Sequence, residues 1–300
     1  MSQEYSRSLE IHEYLDQIDD VAIRGFAGLA LKDACEILPA INQMLQKDQD
    51  IAEIRVVIEA IPNAEAISWL VRINSGLIEH CIKIASNNDL NFDLPCWATP
   101  QVIASTSLSW IFAHEWTHVI RSHDDVGSEL GNEADISRAL EQDADFCAVA
   151  AIYRSLQTKF SALATDIDIR KLVIHCVFWL LRSLPSQSGS HAEIELRIVN
   201  AIIKLSSLST NRFEPPDCSA EREETLLIST ALADVLISAE KNYQAHTPDV
   251  EKKPSLLDKV VQASKDGSAG MPTRTWGRIS PVVERLSGTR AVSPAKTTIN

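Results

Sequence analysis

The stretch 107–121, SLSWIFAHEWTHVIR, constrains this chain more than any other, because His114-Glu115-Trp116-Thr117-His118 sits inside an apolar, helix-like run. Residues four apart lie one turn apart on a helix, so both imidazoles can bind one Zn²⁺ while Glu115 takes a proton from water beside it. Chance supplies an HExxH only about 0.015 times in a chain of this composition. Such a site still needs a third ligand, partners that orient the ligands, an edge to hold substrate and a group to stabilise the transition state.

Three hundred residues at 45% hydrophobic can bury a large core. The formal charge of −13 argues against nucleic acid or an anionic membrane surface as the main partner. The six cysteines include no CxxC pair and fall mostly in apolar stretches, which suits buried thiols in a reducing cytoplasm. No basic, then apolar, leader opens the chain. The longest apolar stretches, 103–120 and 172–184, are interrupted by polar residues or too short to span a bilayer. The composition predicts a soluble, cytoplasmic protein with no membrane span; it carries no information on oligomeric state.

Residues 1–52 read as an N-terminal helical segment, with Pro39 breaking its second helix. The pattern then changes: EIRVVIEAI (53–61) and SWLVRIN (68–74) read as strands joined by a turn at PNAEA, and Asn74-Ser75 caps a following helix. A small sheet thus precedes the HExxH helix, and a strand edge there can hold an extended peptide, which nominates Trp69, Val71 and Ile73 as substrate-binding. Thr99 as N-cap and Pro100 at the first helical position open the HExxH helix.

SHDDVGSELG (122–131) reads as a polar loop, with Asn132 capping the next helix. On that helix Glu141 lies 23 residues after His118, far enough for a loop and two turns to return it to the metal as third ligand. Asp145, one turn on, can accept an N–H from a ligand histidine. Two rivals fit less well. Glu133 lies only 15 residues past His118, and His123 falls one position short of a third-histidine motif. His175 reads as a core histidine. His191 and Arg197 open a later helix, and by spacing alone they are as compatible with the surface as with the site. Residues 53–208 form the expected catalytic domain, 209–243 a linker and packing helix, and 244–300 a disordered tail in which WGRISPVVERL (276–286) can form a short docking helix.

These motifs, in this order from about Glu53 to Lys204, resemble the gluzincin peptidases of the HtpX and CAAX prenyl protease type. Asn63-Ala64-Glu65-Ala66 is similar to that family's NAFA turn, and WLVRINSGLIE to its strand and GLL helix. Glu141 and Asp145 match its ExxAD, in which the glutamate binds zinc and the aspartate supports a histidine. Ser190-His191 through Arg197-Ile198 matches its [ST]HPxxxxRI segment, with Ala192 in place of the proline. The resemblance thereby implies that His191 and Arg197 act near the substrate. The family usually carries transmembrane helices; a chain without them looks more like the Lit phage-exclusion peptidases.

The sequence therefore predicts an α+β, mostly α-helical fold with a zincin-like metallopeptidase domain. One Zn²⁺ per chain is held by His114, His118 and Glu141, with Asp145 behind them. Glu115 is the base, and His191 or Arg197 holds the oxyanion as a protein or peptide substrate is cut. A zinc-binding regulatory protein, inactive or conditionally active, is the alternative; a zinc hydrolase acting on a non-peptide amide is a third.

Overall fold

Thr99, whose hydroxyl accepts from the amide of Val102, and Pro100 start a 21-residue helix, Pro100–Ile120, that is buried nearly all round. Every other layer forms around it. The computed structural model describes residues 8–46, 52–67, 69–87, 89–90, 94–131, 133–184, 194–208, 220–247, 255–265 and 271–289. Its order is β1 (Ser8–Leu9), α1 (Ile11–Leu15), α2 (Val21–Cys35), α3 (Ile37–Met44), β2 (Glu53–Val57), β3 (Ala64–Ile67), β4 (Leu70–Asn74), α4 (Ser75–Ala85) and α5 (Pro100–Ile120). Then follow α6 (His123–Leu130), α7 (Ala134–Phe160), α8 (Asp166–Ser183), α9 (Ile194–Ser207), α10 (Ala220–His246), α11 (Leu256–Lys265) and α12 (Met271–Thr289). The fold is α+β, mostly helical with one small sheet, and no described helix is long and apolar enough to cross a membrane.

α2, α3, α4, α7 and α8 all pack on α5. The N-terminal segment therefore belongs to the main core, and it also supplies β1. The break between α2 and α3 falls at Glu36. Pro39 has no N–H to give the carbonyl of Cys35, so one helix cannot run through.

The sheet has the order β1-β2-β4-β3, with β2 parallel to β4 and both outer strands antiparallel to their neighbours. This corrects two expectations. Part of the PNAEA segment is strand β3 rather than a turn. Moreover, β4 has neighbours on both sides, with Val71 and Ile73 fully buried, so neither lies on an edge open to a peptide. The edge strands are β1 and β3, and β3 packs beside α5. Trp69, in the β3–β4 turn, puts its ring 5.8 Å from that of Trp116 and so ties the sheet to the HExxH helix. Trp116 is itself fixed by donating to Asn42 on α3 (2.8 Å).

Three further expectations change. Residues 123–130 are helical rather than a loop, turned by Ser122 in the left-handed region (φ 55°). α7 begins at Ala134 with Glu133 at its N-cap position, and Asn132 lies outside the described residues. The tail expected to be disordered contains α11 and α12, and α12 packs on α6 and α7. α10 is held to α8 and α9 by the buried Arg182 of α8, which donates to Glu240 (2.7 and 3.0 Å) and to Glu195 of α9 (3.1 Å). The expected linker at 209–219 lies outside the described residues.

Candidate metal centre

α5 and α7 cross with the HExxH face of one against the Glu141 turn of the other. Ala144 and Ala148 on α7 are fully buried, and their small side chains permit the close approach. Two imidazole nitrogens and one carboxylate converge as a result. His114 Nε2 and His118 Nε2 are 3.2 Å apart, and Glu141 Oε2 and Oε1 lie 3.4 Å and 3.6 Å from them. Zinc bonds of about 2.0–2.2 Å in a tetrahedron separate neighbouring ligand atoms by about 3.3–3.5 Å. Each separation is close to that edge length, with the two Glu141 oxygens each nearer one imidazole, and among the described residues this His-His-Glu group is the one that could hold a metal ion.

The other side of each imidazole is engaged. His114 Nδ1 is 2.9 Å from Asp145 Oδ1. Asp145, 2% exposed, also accepts from Nε and Nη2 of Arg197, both at 2.8 Å. Trp110, one turn before His114, stacks on it at 25° and 5.2 Å and lies under the Arg197 guanidinium at 5.2 Å. His118 Nδ1 faces His123 Nδ1 at 2.9 Å. Glu115 is half-buried on α5, and its charge helps to favour protonated Arg197.

The electrostatics follow from this packing. Burial pushes the His114 imidazole down, but the hydrogen bonds to Asp145 and Glu141 outweigh it, and in the absence of a metal its pKa rises to about 10. Burial and the neighbouring His123 push His118 well below the ordinary histidine range. Burial would raise Asp145, yet Arg197 and His114 hold it below the usual carboxylate value. Arg197 is kept charged against burial by Asp145. Two imidazole nitrogens and a carboxylate turned toward one another are the donor types that zinc takes. A metal cation fits, provided His114 gives up its proton.

The structure brings together His114, Glu115, His118, Glu141, Asp145 and Arg197 from three separate helices. It does not bring in Trp69, Val71 or Ile73 as an edge, and His191 lies outside the described residues. Arg197 is at the site, but two of its nitrogens are committed to Asp145, behind the donors. Sequence reading missed Trp110, weighed His123 only as a rival ligand, and did not foresee that His123 meets His118 and Asp143 or that Arg121 pairs with Asp143. Only Trp110 carried a signal, its one-turn spacing from His114.

No curated protein and no solved structure matches this chain. Residues 91–214, the part that runs through α5 to α9 and contains every residue of the candidate centre, match the family model described as Peptidase U49, so over that stretch the chain is similar to a peptidase family.

Proposed function

We propose that this protein is a zinc-dependent endopeptidase with a zincin-like catalytic domain, binding one zinc ion through His114, His118 and Glu141. The observation that carries the reading is the convergence of His114 Nε2, His118 Nε2 and the Glu141 carboxylate within 3.2–3.6 Å, with Glu115 on the same helix turn. A bound zinc ion would supply Lewis acidity for a water and a peptide carbonyl. Glu115 takes the proton of the attacking water and returns it to the leaving amine. Asp145 holds His114 in the tautomer that points Nε2 at the metal, and Arg197 holds Asp145. Arg197 is better used in that support than as an oxyanion donor, which leaves the oxyanion role to His191. An extended protein substrate would add to the free edge of β3, replacing the expected alignment along β4. The Lit-like motif order extends the reading to an intracellular target cut during phage infection.

The test is zinc stoichiometry on purified wild type and Glu115→Gln, with detection of new protein ends in cells expressing each. One zinc per chain in both, with new ends from wild type alone, is the expected result, and turnover falls by about 10²-fold or more without the base. Zinc in both with no new ends from either would favour a zinc-binding regulatory protein. No zinc in either would remove the site.

A further inference from the structure

We infer that His123 is a positioning residue for the metal centre, orienting His118 through a relay that ends beneath the C-terminal helix. The inference rests on the proposed metal site. A histidine that ligates through Nε2 has its ring free to rotate about χ2 unless something fixes Nδ1. Asp145 does this for His114, whereas among the described residues the group at Nδ1 of His118 is an imidazole, His123 Nδ1, at 2.9 Å. The two ring planes are nearly perpendicular, with centroids 4.8 Å apart at 85°, and the short Nδ1···Nδ1 separation makes the contact a hydrogen bond between the rings.

The proton order along the chain follows from the donors available. With His118 Nε2 turned to the metal, its Nδ1–H donates to Nδ1 of a neutral His123. His123 then carries its own proton on Nε2, which lies 3.2 Å from Asp143 Oδ2 and donates to it. Asp143 is ion-paired with Arg121 (2.5 Å), and the Arg121 guanidinium lies over the Trp276 ring of α12 at 5.4 Å. His123 thus accepts at one ring nitrogen and donates at the other, Asp143 accepts from His123 and Arg121, and Arg121 donates.

The backbone is built to make this contact. His123 follows His118 by five residues, which on a continued helix would carry it away from the His118 face. Ser122, fully buried and left-handed at φ 55°, ends α5 and turns the chain so that the first residue of α6 points back at His118. A non-glycine residue seldom adopts that region, so the reversal is held by its surroundings. His123 itself is 2% exposed.

The experiment uses the full-length chain loaded with zinc or cobalt(II). In zinc-loaded wild type labelled with ¹⁵N-histidine, the expected result is a scalar coupling between the Nδ1 atoms of His118 and His123 across the N–H···N bond. His123→Leu should weaken zinc binding about 10- to 100-fold and alter the cobalt(II) visible spectrum, while His123→Asn, whose amide oxygen can accept in place of Nδ1, should restore most of both. If wild type binds the metal but shows no such coupling, and His123→Leu binds zinc as tightly with an unchanged cobalt spectrum, the relay is wrong while the metal site stands. If wild type binds neither ion, the site itself fails and the relay with it. The coupling is read on wild type, so a variant that does not fold leaves the test intact.

Discussion

Three histidines in this chain differ because of what surrounds them. His114 rises to about 10 in the metal-free protein since two carboxylates outweigh its burial, and His118 falls since burial and a second histidine act together. His175 on α8 falls to about 4, with burial as the cause. A histidine whose folded pKa lies below its unfolded value of 6.5 binds fewer protons folded than unfolded between those limits. Stability is therefore complete above about pH 6.5 and falls as pH drops toward 4, by about 3 kcal/mol from this residue alone. His175→Phe should narrow the difference in urea midpoint between pH 7 and pH 4.5; an undiminished difference would assign the acid sensitivity elsewhere. His114, His118 and Glu141 were legible because ligand chemistry fixes residue type and spacing. His123 was not, because nothing in the local text says that Ser122 turns back on itself.

At the scale of elements, α4 shows how closely the pieces are fitted. Gly76 donates its N–H to Glu59 (2.9 Å), and a Cβ there would stand 2.1 Å from the carbonyl oxygen of Ala60. Alanine is the better helix former by about 1 kcal/mol. Even so, Gly76→Ala should destabilise by about 1–3 kcal/mol, because the obstruction is backbone rather than a movable side chain. A denaturation midpoint equal to or above wild type would contradict this close approach. Element types were readable where pattern and capping agree, as in α5, with Thr99 and Pro100 at its start. α6 was hidden because its buried residues are His123, Val126 and Gly127, helical in spacing but not apolar as a set. β3 was hidden because AEAI has helix-like composition and becomes a strand only by pairing with β4.

Across the whole molecule, the core has two parts. The larger surrounds α5, and a smaller one joins Val126, Ile136, Ala139 and Leu140 to Ile279 and Val283 of α12. The buried positions 275, 279, 283 and 287 form a one-turn stripe that faces α6 and α7. Ile279→Asp puts an unpaired charge in the smaller cluster and should detach α12 at a cost of about 2–5 kcal/mol. Limited proteolysis should then cut within 271–289 while the segment around α5 stays protected. Equal protection of both regions in the variant would show that α12 is not held by this cluster.

The sequence by itself determined the HExxH helix, the chemistry of its donor set, the candidate third ligand and the presence of a small sheet ahead of it. Those features rest on short-range periodicity and on residue types that few other roles require. The tertiary structure decided which strand edge is open, that Arg197 backs Asp145, that His123 reaches His118, and that the C-terminal helix covers the far end of that relay. Each of these is a contact between residues distant along the chain or beyond a reversal of its backbone, where local pattern carries no record of the partner.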